Sequence, residues 1–289
     1  MPFLRRPDGR DLDILVGGPE GGVPLVYHHG TPGSVTPATR LAEAAYRHGL
    51  RLVTMSRAGY GLSSRDPGRT VASLADDVAA VLDHLGASRC VTAGWSGGGP
   101  HALATGALLS DRVAGVLVIA GVAPYQAAGL DFLDGMGEDN VIEFGAALDG
   151  EASLRAFLEG IAPGLRAVTA EDLVSQMGSL LPDVDRAMLT DEFGAELAGG
   201  FCEALEVSVD GWLDDDLAFV RPWGFDLDAL SVPSFIWQGG QDLMVPPAHG
   251  GWLAEHVRGA QPRLLPDEGH VSIVVGKIDE MVAELASTL

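Results

Sequence analysis

Short, continuously apolar runs alternate with stretches of helical periodicity along most of this chain, and that alternation limits the folds open to it. Residues 24–28, 50–56, 89–94 and 113–120 read as strands. Between them, 37–48, 73–85 and 100–109 read as helices, the second with Leu74, Val78, Val81, Leu82 and Leu85 at helical spacing. Strands apolar on both faces and joined by helices predict a mainly parallel sheet covered on each side, an α/β fold. Ahead of it, residues 2–6 and 10–16 flank Asp8-Gly9 and read as a hairpin.

The rhythm stops after Ala120. Residues 124–228 carry helical stretches, such as 151–159 and 170–181, and no convincing strand. It resumes with a strand at 232–238, a helix at 248–257, a strand at 262–265 and a closing helix at 271–286. The expected organisation is therefore one core, residues 1–123 and 229–289, bearing a helical cap inserted at 124–228. No internal repeat or low-complexity linker divides the chain further.

Charge follows the same division. The 289 residues carry 18 Lys and Arg against 40 Asp and Glu, a net charge of -22, which weighs against nucleic acid and anionic lipid as partners. Positions 121–230 hold 23 of the acids and only four Arg. Two readings stand: a solvated, soluble surface, or a field that repels anions and tolerates cations near a binding site. No apolar run is long enough to span a membrane, and the N-terminus lacks the apolar core of a signal peptide, so a cytoplasmic location is expected. Cys90 and Cys202 imply no disulfide framework and read as structural thiols. The sequence is compatible with a monomer or a homodimer.

The strongest chemical signal is Gly94-Trp95-Ser96-Gly97-Gly98, between a predicted strand and a predicted helix. An abrupt strand-to-helix turn needs small flanking residues and holds the central serine in a strained conformation with its hydroxyl exposed above the sheet. The helix N-terminus behind it favours developing negative charge. A serine hydroxyl needs a base, and the base an orienting carboxylate. His270 follows the last predicted strand and Asp242 the one before it, both in turn-rich loops where a parallel sheet presents its carboxyl edge. Asp267 and Glu268 adjoin His270 but read as surface charges; His84, His101, His249 and His256 fall on predicted helices. The loop His29-Gly30-Thr31-Pro32-Gly33 offers the Thr31 N–H as an oxyanion donor if Gly30 makes an unusual turn, and Gly97 offers a second. No metal-ligand spacing or cofactor motif is present.

These segments, together with Ser56-Arg57-Ala58-Gly59-Tyr60-Gly61-Leu62-Ser63, Gly240-Gln241-Asp242 with Val245-Pro246, and Gly269-His270, resemble the cap-bearing α/β-hydrolases in order and spacing. The resemblance covers roughly residues 10–120 and 230–289. It implies Ser96 as nucleophile, His270 as base and acid, Asp242 as orienting carboxylate, and the Thr31 and Gly97 N–H groups as the oxyanion hole. Ala58 stands where many members carry proline; that loop is expected to shape the pocket rim. A serine at the elbow disfavours the dehalogenases and epoxide hydrolases of the family, which use a carboxylate there.

The function expected is a serine hydrolase acting on a small neutral or cationic acyl substrate, most simply a carboxylic ester, without a cofactor. An exopeptidase resembling proline iminopeptidase, with cap acids binding the substrate's ammonium, is one alternative. A non-catalytic ligand-binding or signalling protein on the same fold is another. Phe201, Trp212, Phe219, Trp223 and Phe225 either line an acyl pocket or pack under the cap.

Overall fold

The computed structural model describes residues 3–189 and 191–289. Its first strands, β1 (Phe3–Arg5) and β2 (Asp11–Gly17), form the expected antiparallel hairpin, turning at Gly9 with φ of 91°. Then follow β3 (Pro24–His28), α1 (Thr39–Arg47), β4 (Arg51–Met55), α2 (Leu74–His84), β5 (Cys90–Trp95), α3 (Gly98–Leu108) and β6 (Val113–Ile119). Among the described residues six helices intervene: α4 (Glu138–Asp149), α5 (Glu151–Arg166), α6 (Ala170–Gln176), α7 (Asp183–Arg186), α8 (Asp191–Ala204) and α9 (Asp210–Phe219). The chain closes with β7 (Ser234–Gly239), α10 (Pro247–His256), β8 (Ala260–Leu265) and α11 (Ser272–Ala286).

The strands form one eight-stranded sheet in the order β1-β2-β4-β3-β5-β6-β7-β8, parallel from β4 to β8. Alternation of side chains along each strand explains why the central runs are apolar throughout. Leu25, Tyr27, Val91, Ala93, Leu117, Ile119 and Trp237 point to one face, where they meet Leu41 of α1 and Ile278 and Met281 of α11. Val26, Val53, Val116, Val118 and Ile236 point to the other, against Val78 of α2 and Leu103 of α3. Among the described residues β8 pairs with β7 alone, and as an edge strand, unlike a strand paired on both sides, it tolerates Pro262 and its missing N–H.

Because β3 leads to β4 on one side and β5 lies on its other side, the strand order reverses between β3 and β5. The carboxyl ends of parallel strands diverge at such a point and leave a crevice. The loops after β3, β5, β7 and β8 all open at that edge, and the six-helix segment is inserted between β6 and β7.

Most acids of the segment are exposed, as a solvated surface requires, but α9 departs from that pattern. In α9, every residue from Gly211 to Phe219 is buried, the three successive aspartates included. Helical residues turn by about 100° each, so the three carboxyls leave the axis in three directions. Asp214 takes a two-pronged ion pair from Arg65, with Nε at 2.8 Å and Nη2 at 2.9 Å. Asp215 receives the Arg57 Nη2 at 2.5 Å, the Arg69 Nη1 at 2.6 Å, the Tyr60 hydroxyl at 2.9 Å and the Thr31 hydroxyl at 2.9 Å. Asp216 faces a cavity. Asp214 and Asp215 thus sit where arginines of the sheet side meet them, which composition alone conceals.

Two further expectations are corrected. Cys202 is exposed on α8, whereas Cys90 is buried in β5. The loop from Ser56 to Ser63 does not form a pocket rim: Ala58 and Tyr60 are buried, and none of its residues lines either large cavity among the described residues. Its role is to pass beneath α9, where Arg57 and Tyr60 reach Asp215.

Candidate active site

Ser96 follows β5 with φ of 56°, the left-handed region that a residue with a side chain seldom occupies. Its N–H donates to the Ile119 carbonyl at 2.9 Å, and α3 begins two residues later. The turn is possible because Gly98 presses against β3: a Cβ there would lie 2.1 Å from the His28 carbonyl oxygen. The elbow anticipated from the sequence is therefore a matter of backbone crowding, and any side chain at position 98 would push the serine away from β3.

His270, in the loop after β8, is buried and directs Nδ1 to the Asp242 Oδ2 at 2.7 Å. Asp242, in the loop after β7, is buried too and has its other donors in place. The Met244 and Val245 N–H groups donate to Oδ1 at 2.9 and 2.8 Å, and the Gln238 amide donates to Oδ2 at 3.1 Å. With Nδ1–H given to the carboxylate, Nε2 is left as the acceptor nitrogen. Burial pulls the His270 imidazolium down, but the Asp242 charge and hydrogen bond, with a smaller contribution from Asp185, outweigh it and raise the pKa above the ordinary 6.5. The Trp95 indole lies beside the ring, 5.3 Å between centroids, and its Nε1–H donates to the His270 carbonyl at 3.3 Å.

Ser96 and His270 line the same cavity of about 710 Å³, although among the described residues no hydrogen bond joins the serine hydroxyl to the imidazole. Ser96 also lines a second cavity of about 470 Å³, shared with Thr31, Gly97, Glu143, Trp212 and Asp216. The serine sits where the two meet. Phe201, Trp212 and Phe219 face this second space, whereas Trp223 stacks on Phe225 elsewhere in the core.

The Thr31 loop is positioned differently from expectation. Gly30 does not adopt a positive φ; instead Arg57 pulls two carbonyls toward itself, donating to the His29 oxygen at 2.5 Å and the Gly30 oxygen at 2.9 Å. In a planar trans peptide the carbonyl and the following N–H point in opposite directions, so the Thr31 N–H faces away from Arg57. Among the described residues neither the Thr31 nor the Gly97 N–H has a protein acceptor, and both residues line the smaller cavity beside Ser96. His29 braces the same loop: its Nε2 accepts the Arg57 N–H at 3.1 Å, which leaves Nδ1–H to donate to the Gly30 carbonyl at 2.7 Å. Burial, reinforced by Arg57, pushes the His29 imidazolium well below its usual value and keeps the ring neutral.

Several residues that matter here escaped the sequence reading. Asp185, on the short helix α7, is fully buried and accepts three backbone N–H groups of the His270 loop. They come from His270 at 2.8 Å, Val271 at 3.0 Å and Ser272 at 2.8 Å. The loop can lie that close because position 269 is glycine: a Cβ there would fall 2.4 Å from Asp185 Oδ1. Asp215 likewise ties α9 to the Thr31 loop through Arg57. Burial alone would raise its carboxyl, but Arg57, Arg69 and His101 hold it well below the usual carboxylate range. Nothing in a single sequence marks which aspartates of an acidic run turn inward; the only available signal was three adjacent aspartates flanked by Trp212, Leu213 and Leu217.

His101 and His249 are buried on α3 and α10, one bonded to Asp215 and the other to the Phe132 carbonyl, while His84 and His256 are exposed. Asp267 is exposed, and Glu268 accepts the Ser272 hydroxyl at 2.6 Å. Among the described residues no cluster of His, Cys, Asp and Glu is arranged to hold a metal ion, and no helix is long and apolar enough to cross a membrane.

Comparison with known proteins gives a consistent placement. The family model for the α/β hydrolase fold matches residues 23–277. The chain is 29% identical over 271 residues to the dihydrolipoyllysine-residue acetyltransferase component of the acetoin cleaving system of Pseudomonas putida, covering 91% of this chain and 62% of that one. It is 32% identical over 128 residues to the bifunctional esterase/perhydrolase DCH of Acinetobacter calcoaceticus, covering 44% of this chain and 46% of that one. The chain thus spans roughly half to three fifths of the length of these relatives. Among solved structures, a thermophilic esterase from Thermogutta terrifontis superposes with a TM-score of 0.71 at 22% identity, over 99% of this chain and 97% of that one.

Proposed function

The chain belongs to the α/β-hydrolase fold family, and from that premise we propose that it is a serine hydrolase cleaving a small carboxylic ester or related acyl bond through an acyl-enzyme. Ser96 is the nucleophile, His270 the general base and acid, and Asp242 the carboxylate that holds the imidazole in register. The six helices between β6 and β7 act as the cap. The observation that carries the reading is the 2.7 Å contact from His270 Nδ1 to a fully satisfied Asp242, with a positive-φ serine in the same cavity.

The steps follow from the parts. The Ser96 hydroxyl turns toward His270, a contact that in free enzymes often tightens only once substrate is bound. Oγ then attacks the carbonyl carbon while its proton passes to Nε2. The carbonyl oxygen becomes an oxyanion held by the Thr31 and Gly97 N–H groups, each such donor worth about 3–4 kcal/mol of barrier. Asp242 stabilises the imidazolium without taking its proton. The tetrahedral species expels the alkoxide, which receives the proton from Nε2 and departs as the alcohol. Water then gives a proton to Nε2, attacks the acyl-enzyme and releases the carboxylic acid, returning the proton to Ser96.

Because His270 lines only the larger cavity, the leaving group and the incoming water belong there, and the acyl chain belongs in the smaller one. The test is labelling with a fluorophosphonate, read by intact mass, on the native chain and Ser96→Ala, beside turnover of short-chain p-nitrophenyl esters. Labelling and turnover that both vanish in Ser96→Ala are the expected result. A native chain that neither labels nor turns over any ester at neutral pH sinks the reading and leaves a ligand-binding protein on a hydrolase fold.

A further inference from the structure

The smaller cavity contains two acids that the acyl-transfer steps do not use. Asp216, on α9, is 1% exposed, and no N–H or O–H of the protein donates to either of its carboxyl oxygens among the described residues. A buried carboxyl without a donor is costly and uncommon, since nearly all buried polar atoms find a partner. Its companion in the cavity is Glu143 on α4, whose Oε1 accepts the Trp212 Nε1–H at 2.6 Å. Two carboxyls can bond each other only if one of them keeps a proton. The surroundings favour that state: burial, then the Glu143 charge, push Asp216 well above the usual carboxylate range, and burial also raises Glu143. Arg69, a cation whose charge acts on Asp216, is spent on Asp215 at 2.6 Å, and Asp139 and Asp215 add negative charge around the pair.

Most of the remaining wall is apolar, with Val122, Phe144, Phe157 and Phe219 facing the space, while Asp139, Asn140 and Gln176 also line it. An apolar pocket with one polar pole selects ligands with a matching polar end. The two carboxyls present acceptor oxygens there, Asp216 with no donor to either of them, so the complement of this pole brings N–H or O–H groups of its own, and a carboxylate or phosphate would meet their negative charge.

We propose that Glu143 and Asp216 form an ammonium-binding subsite within the acyl cavity, so that the preferred substrates are esters whose acyl part carries a primary amine. The inference rests on the assignment of acyl group and leaving group to the two cavities made above. On binding, the ammonium donates to the Asp216 oxygens and takes the place of the proton shared by the two carboxyls, which leaves to solvent, so the site keeps its net charge of about -1 and gains N–H donors for the oxygens that lacked them. Ser96, which lines the same cavity, then meets the acyl carbon.

The test uses methyl esters of glycine, β-alanine, 4-aminobutanoic acid and 6-aminohexanoic acid. Each is paired with the methyl alkanoate that has a methyl group in place of the ammonium, and hydrolysis is followed by pH-stat at pH 7. For at least one chain length kcat/KM of the ammonium ester exceeds that of its isostere by about tenfold, mainly through KM. Asp216→Asn and Glu143→Gln each collapse that ratio toward one, while Glu171→Gln, an exposed acid on α6, preserves it. A ratio at or below one at every length in the native chain overturns the subsite, as does a ratio unchanged in both variants. Calorimetry of n-butylammonium with Ser96→Ala, alone and combined with Asp216→Asn, separates this inference from the acyl chemistry. Binding lost on adding Asp216→Asn upholds the subsite even if no ester is cleaved. Ester hydrolysis with no butylammonium binding upholds the hydrolase and overturns the subsite.

Discussion

Replacing Asp185 by alanine removes the acceptor of three backbone N–H groups at once, those of His270, Val271 and Ser272, and leaves them in a buried loop at the start of α11. An unsatisfied buried donor costs about 1–3 kcal/mol, and three would cost the most if no water replaced the carboxylate. A cavity the size of the lost side chain admits water to part of the set, so about 3–5 kcal/mol is expected. For a chain of this size that is a fall in Tm of roughly 5–10 °C. The same N–H groups hold the backbone that carries His270, so kcat falls by at least tenfold. Asp185→Asn keeps one carbonyl oxygen and can satisfy only some of the donors, which predicts an intermediate loss on both measures. Circular dichroism melting and steady-state hydrolysis of p-nitrophenyl butyrate on both variants supply the readout. Asp185→Ala within 1 °C and twofold of the native chain would refute the view that α7 positions the base. Gly269→Ala, whose Cβ would sit 2.4 Å from Asp185 Oδ1, is expected to reproduce the loss.

The remaining predictions concern charge. In the proposed mechanism His270 must be neutral to accept the serine proton, and its pKa is raised, so kcat/KM is expected to rise with pH through a midpoint above 6.5; Asp242→Asn lowers that midpoint together with the rate, and a midpoint below 6.5 in the native chain contradicts the assignment. Asp215→Ala leaves Arg57 and Arg69 buried without their counter-ion and costs about 3–5 kcal/mol in urea unfolding, a loss under 1 kcal/mol being the refuting outcome. His28, His29 and His101 are buried with pKa values pushed down, that of His101 to about 4. The unfolded chain takes up these protons near 6.5 and the folded chain resists, so stability is full above that pH. Below it, stability falls by up to about 1.4 kcal/mol per pH unit for each ring. Urea unfolding at pH 7 and pH 5.5 checks this, and equal midpoints would count against it.

The alternation of strands and helices, the hairpin, the elbow at Ser96 and the loops bearing Asp242 and His270 could all be read along the chain. Each is governed by near neighbours: apolar periodicity, glycines at a tight turn, or turn-forming residues after a strand. Boundaries drifted where tertiary contacts extend an element; the helix expected at 151–159 runs on as Glu151–Arg166, because Leu158 and Ala162 find cover further along the same face. The Ser56–Ser63 loop was misplaced for a related reason. The family resemblance suggested a rim, whereas Arg57 is buried because its counter-ion lies 158 residues away on α9.

What the sequence determined by itself was the sheet, the strand ends from which a serine, an aspartate and a histidine emerge, and the place of a helical insertion. These rest on local rules of pattern and backbone conformation. What only the tertiary structure decided was the fate of the acids in that insertion: Asp215 neutralised by two arginines, Asp185 holding the His270 loop, Asp216 left facing a cavity beside Glu143. Whether a carboxylate is solvated, paired or stranded depends on which groups the fold brings within a few ångströms. One turn of a helix is enough to give three adjacent aspartates three different surroundings.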